Sequence, residues 1–168
     1  MGFADIISNL KSVHAAVIGT NILLLTAAMG IGFIDVNTKN IPGNPENKDS
    51  KTTYKVWSWK FFDGHWPLMT LVIFALVIPW WINGFLLCQQ MKNSDLKDKL
   101  GKARLLQMLG VALLLVLGSG VITTLYVSNL ASGDEDKVFL ILSMCFCWAS
   151  FFAHAAQIIL VQFRFSVR

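Results

Sequence analysis

The sequence predicts an all-α integral membrane protein, a four-transmembrane-helix bundle forming a single domain over residues 1–168, with both termini on the cytoplasmic side. Three observations carry this. Four apolar stretches of more than twenty residues occupy well over half of the 168-residue chain, each long enough to cross roughly 30 Å of hydrocarbon. Hydrophobic side chains make up 55% of the residues and charged ones 14%, which leaves too little polar surface to cover a soluble domain. The lysines and arginines near the span ends divide unequally between the two sides that a four-span chain presents.

The first span is expected over 13–34. Ahead of it, Phe3, Ile6, Ile7, Leu10 and Val13 recur at helical spacing between Asp5, Ser8, Asn9 and Lys11. That pattern describes an amphipathic helix on the membrane face, or an extension of the span into the headgroups. The N-terminal residues lack the charged start of a cleavable signal, so the first span is expected to serve as a signal anchor. The outer loop, 35–66, has two unlike halves. Residues 35–53 hold Pro42-Gly43 and Asn44-Pro45 and read as an exposed loop. Tyr54, Val56, Trp57, Trp59, Phe61, Phe62, His65 and Trp66 then form an aromatic stretch at the membrane surface. Such rings favour the headgroup layer; the alternative is a partner-binding surface of Trp57, Trp59, Phe61, Phe62 and Trp66, because buried tryptophans dominate interface energetics.

The second span is expected over 67–91. Pro79 lies in its middle and, lacking an N–H, frees the carbonyl of Ala75, which predicts a kink. Cys88 near its cytoplasmic end is a candidate palmitoylation site. In the next loop Asn93 and Ser94 are capping residues, and Leu96 and Leu100 stand four apart, which predicts a short surface helix. Its lysines suit anionic lipid, as those of any cytoplasmic turn do. The third span, 104–128, and the fourth, 138–163, are joined by an acidic turn at Ser132–Asp136 without the ligand spacing of a calcium loop.

On the side of the termini and the middle loop stand Lys11, Lys92, Lys97, Lys99, Lys102, Arg104, Arg164 and Arg168 against Asp5, Asp95 and Asp98, a balance of +5. The other side carries six lysines and seven acids, a balance of −1. The positive side is the cytoplasmic one. The basic excess is thus a matter of topology, and no nucleic-acid partner is expected. Cys88, Cys145 and Cys147 all fall within spans, so the outer loops have no disulfide to form.

No Asp, Glu, Lys or Arg lies inside a span, which argues against ion-coupled carriers, proton pumps and voltage sensors. The intramembrane polar residues are Asn21, Asn83, His154 and Gln157. Counted at 1.5 Å per residue, Asn21, Asn83 and His154 share one depth of roughly 12 to 14 Å, with Gly110 and Ala112 opposite on the third span. An interhelical hydrogen-bond layer is expected. Bis-histidine haem is disfavoured because His14 and His154 lie at different depths, and no histidine has a metal-ligand partner at ligating distance in sequence, so no cofactor is expected. Ala28 and Gly32 on the first span, with Cys145, Ala149 and Ala153 at four-residue intervals on the fourth, read as helix-packing stripes, for this bundle or for a partner.

Four spans, a long first outer loop and a short second one give a layout that resembles the small tetraspan families, the claudin-like and MARVEL-domain proteins. The Trp57-Ser-Trp59 stretch lacks the cysteines of the claudin-like pattern, so no functional residue is carried over. With no nucleophile beside a base, no paired carboxylates and no phosphate loop, the expectation is a non-enzymatic auxiliary subunit or organiser. Its partners would be the bilayer and other membrane subunits, or copies of itself. The alternatives are an oligomeric channel, or a small haem or lipid-handling enzyme built on Asn21, Asn83 and His154.

Overall fold

A computed structural model of the chain describes residues 3–32, 34–39, 51–56, 67–91, 96–129 and 136–166. They form α1 (Phe3–Gly32), β1 (Ile34–Lys39), β2 (Lys51–Val56), α2 (Pro67–Met91), α3 (Leu96–Asn129) and α4 (Asp136–Ser166). Within the four helices, Ser12–Ile31, Leu71–Met91, Leu100–Ser128 and Leu140–Phe163 are long and apolar enough to cross a membrane. The amphipathic N-terminal residues are helical and continuous with the first span, the extension alternative. Trp57, Trp59, Phe61, Phe62 and Trp66 lie outside the described residues.

The helices pack as α1–α2, α2–α3, α3–α4 and α4–α1, a four-sided bundle whose cyclic order is the order of the chain. The short connections α2–α3 and α3–α4 favour antiparallel neighbours, whereas α1 reaches α2 through the longer segment 33–66. The interior residues show why it closes. They are His14, Ile18, Asn21, Leu25 and Ala28 on α1; Val72, Leu76, Pro79, Asn83 and Leu86 on α2; Leu105, Leu109, Ala112, Val116, Ser119 and Thr123 on α3; and Leu140, Ser143, Cys147, Ser150, His154, Gln157 and Val161 on α4. On every helix the steps between them alternate between three and four. That is the 3.5-residue repeat of a coiled-coil seam, which imposes a left-handed supercoil.

The seam is partly polar and the exterior is apolar. His14, Asn21, Asn83, Ser119, Thr123, Ser143, Ser150, His154 and Gln157 are all buried, while Leu23 is 72% exposed, Trp81 66% and Leu114 68%. Exposed apolar surface on this scale suits lipid and not water. The four helices are therefore compatible with a multi-pass integral membrane protein.

Two corrections to the sequence reading concern backbone. Of the stretch 35–53, read as loop, residues 35–39 and 51–53 belong to antiparallel strands in register Ile34↔Val56 through Lys39↔Lys51, so a two-stranded ribbon follows α1 beside α4. The middle-loop surface helix is present as Leu96–Leu100 but abuts the third span through Gly101, the one non-helical residue in α3, at φ 71 and ψ 154. Positive φ is cheap for glycine and strained for other residues. α2 runs as one helix with Pro79 inside it.

Candidate functional site

The polar layer expected from depth counting assembles on α4. Gln157 and His154 stand three apart on its buried face, so one reaches α1 and the other crosses the bundle. Asn21 Nδ2 donates to Gln157 Oε1 at 2.9 Å. Asn83 Nδ2 lies 2.9 Å from His154 Nε2, joining α2 to α4 across the diagonal of the bundle. His154 Nδ1 is 2.8 Å from the carbonyl oxygen of Ser150. A carbonyl only accepts, so Nδ1 carries the hydrogen and Nε2 accepts from Asn83. The second hydrogen of Asn83 Nδ2 goes to the carbonyl of Pro79 at 2.8 Å. With both ring nitrogens engaged, His154 does not present itself as an axial ligand, and among the described residues no three His, Cys, Asp or Glu side chains gather as a metal site.

Three atoms of this layer, Asn21 Oδ1, Asn83 Oδ1 and Gln157 Nε2, are buried without a hydrogen-bond partner. Their isolation is energetically unfavourable, by about 1–3 kcal/mol each in a soluble reference. On α3 the facing level is not Gly110 and Ala112. Trp148 meets both Gly120 and Thr124; six residues further along α4 is His154, and six residues back along α3 lie 114 and 118. Val116 is the buried residue between them. The depth count from Arg104 falls about one turn short of this level.

Other polar ties were not foreseen. Trp80 Nε1 donates to Thr26 Oγ1 at 3.0 Å, and that hydroxyl donates to the carbonyl of Ile22 at 2.7 Å. The same relay recurs between α4 and α3, where Trp148 Nε1 donates to Thr124 Oγ1 at 3.1 Å and Thr124 donates to the carbonyl of Gly120 at 2.7 Å. Ser143 Oγ donates to the carbonyl of Ala28 at 2.8 Å. Gln90 Nε2 lies 3.2 Å from His14 Nδ1, one residue from the end of α2. A readable signal existed: His14, Asn21 and Ala28, and likewise Ser143, Ser150 and Gln157, recur every seven residues.

The small-residue stripes divide. Ala28 is in the seam, 1% exposed, and Gly32 ends α1. Cys145 and Ala149 are exposed and Ala153 half-buried, so this stripe lies on the outer side of α4 and does not pack within the bundle. A Cβ at Gly110 would meet nothing within 4 Å, whereas one at Gly120 would touch the Trp148 ring at 3.4 Å. Close approach between α3 and α4 therefore rests on Gly120. Cys88 is exposed, on the lipid-facing side of α2.

Every seam residue named above is buried at 4% exposure or less where a value applies, so the single bundle is a packed solid at its axis among the described residues. The layer links α1 and α2 to α4 through buried side chains. Compared with protein-family models, with curated proteins and with solved structures, the chain matches none.

Proposed function

We propose that the protein is a non-enzymatic membrane subunit or organiser that packs laterally against other membrane proteins, with the outer face of α1 as the contact. The observation that supports this is the difference between two outward faces. On α2 the exposed residues are Leu71, Phe74, Ile78, Trp81, Phe85, Cys88 and Met91, a bulky apolar stripe suited to acyl chains. On α1 they are Ser12, Val13, Ala16, Thr20, Leu23, Thr26 and Gly30. The hydroxyls of Thr20 and Thr26 are turned onto the carbonyls of Ala16 and Ile22, and Gly30 is open to the outside. Small residues let membrane helices approach closely, where dispersion and weak polar contacts drive association in lipid. This face is poor in the bulk that a lipid-only surface carries.

The test adds bulk outward. Ala16→Leu with Gly30→Leu is expected to leave folding intact and to remove co-purifying membrane chains after mild-detergent extraction. Phe74→Ala with Phe85→Ala is expected to retain them. Partner retention unchanged in the α1 variant refutes this face as the contact; a parallel Trp57→Ala and Trp59→Ala variant assigns the contact to the aromatic stretch instead.

A further inference from the structure

Gly101 separates a short cationic helix from the third span. At φ 71 and ψ 154 it takes Leu96–Leu100 off the axis of the helix that follows. The break is anchored, because Leu100 packs against the cluster of Ile18, Leu86, Leu105, Leu109 and Val161 that closes this end of the bundle. Immediately after it Lys102 is half-buried and Arg104 exposed. Lys97 and Lys99 lie within the short helix; Lys11 stands three residues before the buried His14 on α1, and Arg164 three after the buried Val161 on α4. Cationic positions from three helices thus stand toward one end, with Asp5 on α1 and Asp98 on the short helix.

We propose that this end binds the phosphate of an anionic phospholipid, with the Leu96–Lys102 segment as its principal receiver. The proposal goes beyond the subunit reading and needs no protein partner; it rests on the membrane-spanning reading alone. A lysine beside apolar surface lays its stem along that surface and keeps its ammonium in the headgroup layer. A straight continuation of α3 would carry Lys97 about 7 Å further from the bundle end, a distance comparable to the screening length of about 8 Å at physiological salt. The break at Gly101 takes the segment off that straight path. The occupant is a lipid and not free phosphate because Leu100, packed on the apolar cluster, stands two residues from the half-buried Lys102.

The full chain, purified in mild detergent, is titrated with phosphatidylglycerol, with phosphatidylcholine and with inorganic phosphate, and bound lipid is read by native mass spectrometry. Phosphatidylglycerol is expected to be retained over phosphatidylcholine, less so as salt rises. Lys97→Gln with Lys99→Gln and Lys102→Gln is expected to weaken retention by about a hundredfold, at about fivefold per lysine near an anionic surface. Gly101→Ala keeps every charge, disfavours the positive φ, and is expected to weaken it several-fold. Equal retention of the two lipids, an unchanged triple variant, or displacement by inorganic phosphate overturns the proposal. Should the triple variant not fold, the parent decides: retention of phosphatidylglycerol that does not respond to salt overturns it equally. Partner co-purification is read on the same samples, so failure here and failure of the subunit reading are distinguishable.

Discussion

The Asn21–Gln157 pair makes an unusual energetic prediction, because removing both partners is expected to be better than removing either. The parent has one hydrogen bond, from Asn21 Nδ2 to Gln157 Oε1, and two isolated atoms, Asn21 Oδ1 and Gln157 Nε2. Asn21→Leu removes the bond and one isolated atom but strands Gln157 Oε1, so two isolated atoms are still present. Gln157→Met does the same from the other side. Each single change should therefore lose about one membrane hydrogen bond, roughly 0.6 kcal/mol and at most about 1.7. The double variant loses the same bond but no isolated atom is left. Relief of two buried unpaired groups, about 1 kcal/mol or more each, offsets the bond and leaves the double variant at least as stable as the parent. Leu matches Asn in branching and Met is close to Gln in length, which limits packing changes to about 1.5 kcal/mol. The assay is reversible unfolding of the four proteins in mixed micelles, analysed as a double-mutant cycle. A double variant destabilised by the sum of the singles refutes the reasoning.

Other expectations follow the same geometry. Thr26→Val keeps shape but strands the Trp80 indole N–H, and should lower stability by about 1 kcal/mol with a shift in tryptophan emission. Gly120→Leu must displace the Trp148 ring that a Cβ would already touch at 3.4 Å, costing about 1–3 kcal/mol in the same unfolding assay, whereas Gly110→Leu, open to the outside, should be neutral. A membrane-permeant thiol reagent should label two of the three cysteines in the folded protein, since Cys88 and Cys145 are exposed and Cys147 is buried; fast labelling of a third contradicts the phase assigned to α4. His154→Leu leaves both hydrogens of Asn83 Nδ2 with only the Pro79 carbonyl, and should destabilise by about 1 kcal/mol unless paired with Asn83→Leu.

The spans were legible because about twenty consecutive apolar residues have few alternatives, and the expected 67–91 coincides with α2. Depth was legible for Asn21, Asn83 and His154, since rise per residue is constant. Helix phase was not. The four-residue spacing of Cys145, Ala149 and Ala153 gives the same pattern whether it faces in or out; the phase is set by the buried Ser143, Ser150 and Gln157, which recur every seven residues. Partner choice was equally hidden, because an amide at a given depth is compatible with several neighbours, and only the cyclic order of helices assigns Asn21 to Gln157 and Asn83 to His154. The strands escaped notice because their apolar alternation is confined to Ile34 and Val36 and to Tyr54 and Val56, too short a run beside the Asn, Thr and Lys residues that complete them.

The diagonal bond between Asn83 and His154 has a mechanical meaning. Four rods joined only to their neighbours form a frame that shears from a square into a rhombus without separating any adjacent pair. Fixing one diagonal triangulates the frame. α2 and α4 do not pack side by side, yet this bond, 2.9 Å long, sets their separation at one level and braces the cross-section there. Lengthening or cutting the brace would let the outline distort, carrying the outer faces of α1 and α3 toward or away from each other.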